Sequence, residues 1–170
     1  TSNSKLTLLD SAESATLSQG ESTTLTADGT SYDVTASYID SSNNVKLEVN
    51  GETTKTLSDS SGSNPKTYKL NDGSYVGVKT VLAQGYSVGT SSVEFSIGSG
   101  KLEVENNTEV KLNSETVYGL TSEITNANSG ADLSEIKLIW DADDDEFVAE
   151  DSVATIPGFE SISLSYTGME

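Results

Sequence analysis

Apolar residues in this chain recur at every second position and nowhere sustain intervals of three and four over three turns, and that periodicity confines the chain to β-structure. Tyr32-Asp33-Val34-Thr35-Ala36-Ser37-Tyr38-Ile39 sets Tyr32, Val34, Ala36 and Tyr38 on one face of a strand, and Val45-Lys46-Leu47-Glu48-Val49 alternates in the same way. Between such runs stand Asp28-Gly29, Asn50-Gly51 and Asn71-Asp72-Gly73. These residues accept the positive φ that tight hairpin turns demand. Three hairpins are therefore expected, over Thr23–Ile39, Val45–Leu57 and Thr67–Leu82.

Ser58–Pro65 is polar and aperiodic and reads as a loop, as does Gln84–Gly89, while Ser91–Ile97 resumes as a strand. Gly98-Ser99-Gly100 then reads as a short flexible hinge. Charge changes at the same place: Thr1–Ile97 carries 11 acids against 6 Lys, and Gly98–Glu170 carries 16 against 3. A chain of 170 residues accommodates two small domains. The reading is all-β, with a three-hairpin β-sandwich domain over residues 1–97 and a smaller, strongly acidic one over residues 98–170.

In the second domain strands are expected at Val117–Ile124, Ile136–Trp140, Phe147–Val148 and Ser161–Tyr166, with a loop starting at Asn126. Its opening, Lys101-Leu102-Glu103-Val104 then Glu109-Val110-Lys111-Leu112, echoes Lys5-Leu6-Thr7-Leu8 then Glu13-Ser14-Ala15-Thr16-Leu17. A repeated module and chance similarity between β sequences both account for the echo. Hydrophobic residues reach only 34%, displaced by 28 Ser and 20 Thr, yet short alternating runs of Val, Leu, Ile and Tyr suffice for the thin core between two sheets.

Cys, His and Arg are absent. That removes thiol nucleophiles, imidazole acid/base chemistry and guanidinium clamps on phosphate, and the chain is expected not to be an enzyme. A net charge of −18 repels nucleic acid and anionic membrane surfaces. No apolar run approaches the ~20 residues of a membrane helix, so direct membrane insertion of this segment is not expected. The opening Thr1-Ser2-Asn3-Ser4 has neither Met nor a signal-like segment and reads as processed or excised.

The densest charge is Asp141-Ala142-Asp143-Asp144-Asp145-Glu146, followed by Glu150 and Asp151. Asp141, Asp143, Asp145, Glu146 and Glu150 offer the hard oxygen donors calcium takes, although Glu146 stands where an EF-hand loop has glycine. A solvated acidic loop is the other reading. Glycosidase chemistry would need two carboxylates across an aromatic-lined cleft, and one Trp and three Phe serve this whole chain. Trp140 reads as a core anchor, and most of the seven tyrosines fall on inward positions, with a sugar-binding face as the alternative. Asn106-Asn107-Thr108 is an N-glycosylation sequon on an expected turn. Open sheet edges offer unpaired backbone groups to a neighbouring subunit. The first ~17 residues can close their own domain or add a strand to the next molecule.

Gly20-Glu21, Tyr32-Asp33-Val34, Val45-Lys46-Leu47-Glu48-Val49-Asn50-Gly51-Glu52-Thr53 and Leu70-Asn71-Asp72-Gly73-Ser74-Tyr75-Val76-Gly77-Val78 together resemble the β-rich modules of archaeal surface-layer proteins. Ile139-Trp140-Asp141-Ala142-Asp143-Asp144-Asp145-Glu146-Phe147 and Ile156-Pro157-Gly158-Phe159-Glu160 look like the same kind of protein. The resemblance covers most of the chain through turn and strand patterns. It implies an extracellular coat of immunoglobulin-like β-sandwich domains in tandem, often glycosylated and calcium-dependent, with no active site. The expected function is a non-catalytic subunit of a self-assembling cell-surface layer or filament whose partners are copies of itself. The alternative is an adhesin-type module recognising glycan or protein through sandwich-end loops. An exposed patch of Tyr or Trp favours the adhesin; reciprocal edge-strand contacts favour the lattice.

Overall fold

The computed structural model describes residues 4–59, 64–84, 89–127, 132–142, 147–159 and 162–168. Among these every regular element is a strand, so the chain is all-β, with several sheets. Packing divides it into two compact units: Leu9–Lys101, and Thr1–Leu8 together with Leu102–Glu170. The first unit is an insertion in the second, entered within strand β1 (Lys5–Asp10) and left within β11 (Gly100–Glu105). A single cut at 97/98 separates Thr1–Leu8 from the residues they pack with, because β1 pairs with β11 in one sheet.

The inserted unit holds β2 (Glu13–Ser18), β3 (Ser22–Ala27), β4 (Thr30–Ile39), β5 (Asn44–Val49), β6 (Glu52–Thr53), β7 (Leu57–Ser58), β8 (Thr67–Lys69), β9 (Tyr75–Leu82) and β10 (Ser92–Gly98). One sheet runs β2-β10-β9-β8; the other runs β3-β4-β5-β6, with β7 also on β5. The three expected hairpins are present. Asp28 and Gly29 (φ 49° and 75°) close β3 on β4, and Asn50 and Gly51 (50° and 82°) close β5 on β6. Between β8 and β9, Gly73 (96°) ends a turn in which its N–H donates to Leu70 O at 3.0 Å.

Side chains of both sheets meet in one core. Tyr32, Val34 and Ala36 of β4 and Val45, Leu47 and Val49 of β5 pack with Val76, Val78 and Val81 of β9 and Val93, Phe95 and Ile97 of β10. The arrangement is consistent with a β-sandwich. Lys101 is buried with its ammonium 5.2 Å from the centre of the buried Tyr75 ring, a cation–π contact that offsets part of its desolvation.

Two expectations for this unit are corrected. β4 shifts register against β5 between Ala36 and Tyr38, so that Ala36 opposes Leu47 and Tyr38 opposes Lys46. The extra residue, Ser37, donates its hydroxyl to Lys46 O at 2.9 Å, and the bulge turns Tyr38 outward (47% exposed) while Ile39 takes the inner place. Gly98-Ser99-Gly100 is no hinge outside secondary structure: β10 ends on Gly98, β11 begins on Gly100, and Ser99 N–H donates to Asp10 O at 3.0 Å. A Cβ on Gly98 would lie 2.5 Å from Asp10 O. The glycine is there for close strand approach.

The other unit adds β12 (Thr108–Leu112), β13 (Glu115–Ala127), β14 (Asp132–Trp140), β15 (Val153–Thr155) and β16 (Ser163–Ser165). Its main sheet runs β1-β11-β12-β13-β14, and β15 pairs with β16 apart from it. Asn113 and Ser114 (φ 53° and 73°) turn β12 into β13 without a glycine. Phe147 and Val148 lie outside any strand, against expectation. The echoed segments at Lys5 and Lys101 prove to be neighbouring strands of one sheet, whereas the second elements of each echo, β2 and β12, lie in different sheets. They are not equivalent strands of two modules. Ser4 and β1 pair within their own chain: β1 lies on β11, Ser4 O accepts from Asn106 N–H at 3.0 Å, and Ser4 Oγ accepts from Asn126 Nδ2 at 2.6 Å.

The inserted unit's seventeen buried core residues all come from within it, and Asp10 and Ser99 tie its ends together. A fragment of residues 9–101 is therefore expected to unfold cooperatively on its own. Deleting residues 1–8 from the full chain removes Leu6 from the other core and the Lys5–Glu103 ion pair at 2.7 Å, and should unfold that second unit first. Urea titration followed at Trp140 for the second unit, and by circular dichroism for the fragment, checks both; an unchanged Trp140 transition after the deletion refutes the role given to β1.

Candidate functional site

Of the five acidic residues expected to hold calcium, Asp143, Asp145 and Glu146 lie outside the described residues. Asp141 follows β14 directly, its N–H donating to Gly119 O at 2.8 Å, and Glu150 forms an isolated bridge with Tyr166. Among the described residues no three acidic side chains gather in a metal-holding arrangement. Asn106 sits on the β11–β12 turn, half-buried, with Oδ1 accepting from Ile124 N–H at 2.9 Å. Its neighbour Asn107 takes the left-handed position (φ 59°). The sequon asparagine thus has a structural bond of its own.

Aromatic side chains divide between core and surface. Tyr32 and Tyr75 are buried, Tyr68 packs on the first core, and Trp140 packs on the second, as a core anchor should. Tyr38 and Tyr118 are the exposed tyrosines among those described, one in each unit; Tyr86 lies outside the described residues. On the solvent face of the main sheet an open groove is lined by Lys5, Glu103, Glu105, Glu109 and Lys111. There Glu103 pairs with Lys5 at 2.7 Å and stands opposite Lys111 in register, contacts worth little stability pair by pair in water.

Several carboxylates act as turn and corner locks. Asp40 accepts from Asn44 Nδ2 at 2.9 Å, Asn44 N–H at 2.9 Å and Ser42 N–H at 2.8 Å, and the Asn44 side chain is the largest cause of its lowered pKa. Glu21 accepts from Ser18 N–H at 2.8 Å, which lowers its pKa in the same way. Burial pushes Asp72 upward, but hydrogen bonds from the Ser74 hydroxyl and N–H outweigh it and leave the group below its ordinary value.

The two units differ most in what they leave uncovered. Among the described residues, eight of the ten exposed large hydrophobics belong to the unit of Thr1–Leu8 and Leu102–Glu170: Leu8, Tyr118, Leu133, Ile136, Phe147, Val153, Ile162 and Leu164. Among the described residues its buried core has four members, Val104, Val110, Leu120 and Ile124, with Leu6, Leu102, Val117, Leu138, Trp140, Ile156 and Phe159 partly buried against them. So small a core supplies little stability by itself, and each apolar side chain left in water gains by being covered. Phe147 is 89% exposed, Tyr118 77% and Leu133 54%. β14 combines this with an open edge: it ends the main sheet, and from Asp132 to Lys137 its side chains are exposed on both faces. The strand expected at Ile136–Trp140 starts earlier, at Asp132, and alternation in sequence carries no mark of an edge position.

Comparison with protein-family models, with curated proteins and with solved structures returns no match to this chain.

Gly119 shapes the middle of β13. It takes φ 76°, and a Cβ there would lie 2.6 Å from Asp141 O. Gly119→Ala is expected to cost about 2 kcal/mol or more, from left-handed strain and the clash together; a loss below about 0.5 kcal/mol in urea unfolding refutes this placement. The depressed carboxylates give a second expectation. A carboxyl with a folded pKa below its unfolded value contributes in full above the ordinary range and loses that contribution as pH falls through the folded value. The melting temperature should fall from about pH 4 downward, and Asp40→Asn should melt lower at pH 7 and show a shallower acid slope. Parallel curves for the two proteins would contradict the lock assigned to Asp40.

Proposed function

We propose that the chain is a non-catalytic, extracellular structural protein: a subunit of a self-assembling cell-surface layer or filament, made of two immunoglobulin-like β-sandwich units and joined to copies of itself through sheet edges. The observation that carries the reading is the pairing, among the described residues of one unit, of a core with four buried members, eight exposed apolar side chains and an edge strand without a second partner. A lattice subunit would cover such side chains and such an edge with its neighbours. The absence of Cys, His and Arg supports a role without catalysis. The likeness of Val45–Thr53, Leu70–Val78 and Ile139–Phe147 to surface-layer modules of archaea supports the cell-surface setting. The adhesin alternative calls for a patch of exposed Tyr or Trp; among the described residues Tyr38 and Tyr118 are the exposed tyrosines, and Trp140 packs on a core.

Electron microscopy of purified protein, with light scattering across a concentration series, tests the proposal. Sheets, fibres or particles that grow with concentration are expected. A single monomeric species at every concentration overturns it.

A further inference from the structure

β14 is bonded to β13 on one side, and among the described residues no strand lies on its other side. In an antiparallel ladder the backbone groups of alternate residues point to opposite sides. Asp141 N–H donates to Gly119 O at 2.8 Å, with Trp140 next in register opposite Leu120. Lys137 and Ile139 therefore turn their N–H and C=O groups toward β13, and Ile136, Leu138 and Trp140 turn theirs to the open side. Nothing strong blocks that edge: the strand has no proline and a single lysine. Ile136 shares its face with Leu138 and Trp140, which pack on the core, yet remains 38% exposed.

We propose that the open edge of β14 pairs with the same edge of a second copy, antiparallel, about a two-fold axis through Ile136. This rests on the self-assembly reading and names the contact that serves it. Charge selects the register. An axis through Glu135 sets two carboxylates face to face, and an axis through Lys137 sets two ammonium groups face to face. An axis through Leu138 brings Glu135 against Asp141 of the second copy. Only the axis at Ile136 places Glu135 of each copy opposite Lys137 of the other, twice over, while the two Ile136 residues exchange a pair of backbone hydrogen bonds.

The local geometry favours the same register. The Glu135 and Lys137 pairs fall at non-hydrogen-bonded positions, where the Cα atoms approach to about 4.5 Å and side chains interact most strongly. The two Ile136 side chains meet across the axis and extend the apolar face that Leu138 and Trp140 begin. Within each copy Lys137 already pairs with Glu123 at 3.1 Å, both half exposed, so one lysine would bridge two carboxylates. Identical surfaces related by a two-fold axis form a contact that closes on itself, leaving other edges for growth.

The chain has no cysteine, so a single introduced thiol reports one contact in the full-length protein. Ile136→Cys should oxidise to a covalent dimer, because hydrogen-bonded partners stand about 5.5 Å apart at Cα, within disulfide range. Glu135→Cys or Lys137→Cys alone should give little dimer, since each is displaced along the strand from its own counterpart. Glu135→Lys and Lys137→Glu should each weaken association roughly tenfold at low salt, from two pairs turned repulsive. An equal mixture of the two should restore it, because the mixed pair again sets opposite charges together. Glu135→Lys keeps the internal Lys137–Glu123 pair, so its effect is read without a change in folding. Association that persists unchanged in the charge variants, with no Ile136→Cys dimer, overturns this contact and leaves self-assembly standing. A wild-type chain that never associates overturns both.

Discussion

Every strand must find partners for its backbone groups on both sides, and a chain made only of strands meets that demand again at each sheet edge. Much of this molecule is an answer to it. β2 and β10 draw the ends of the inserted unit into one sheet, and Asp10 and Ser99 bond across its neck. β1 is consumed by β11 within the same chain rather than offered outward. The edge of β14 is one that stays unpaired among the described residues, and it belongs to the unit with the smaller described core.

Burial and exposure separate along the same line. In Leu9–Lys101 two sheets share a core that includes wholly buried Phe95, Leu47, Leu57 and Ile97, so the unit has what it needs within itself. In the other unit Val104, Val110, Leu120 and Ile124 are buried while Phe147, Leu164 and Leu133 face water. Apolar area left uncovered is free energy still to be gained on association. The chain passes from one unit to the other within β1 and returns within β11, and these two strands are neighbours in one sheet.

Charge shapes how such contacts form. With 27 acids and 9 lysines, any two copies repel at long range, and contacts that bring a lysine against a carboxylate are favoured over those that do not. Lysines already meet acids within the chain, at Lys5–Glu103, Lys79–Glu94 and Lys137–Glu123. Exposed pairs of this kind add little stability. Their value lies in discriminating one strand register from another, since a slip of one residue exchanges attraction for repulsion and turns every side chain to the other face.

What the sequence determined by itself is what depends on neighbours in the chain. Asp28-Gly29, Asn50-Gly51 and Gly73 specify their turns through backbone φ, and Val45, Leu47 and Val49 declare their inner face by alternation. The lack of thiol, imidazole and guanidinium is likewise plain from residues alone. Tertiary structure decided the rest. The bulge at Ser37 that reverses Tyr38 and Ile39 arises where β4 is matched to β5, and the turn at Asn113-Ser114 uses residues that need their left-handed conformation only once β12 and β13 pair. That β1 and β11 are sheet neighbours, and that β14 is left at an edge, are long-range pairings. Alternation is the same for an edge strand and a central one, so no local pattern distinguishes them, and the candidate surface became visible only when the sheet order was known.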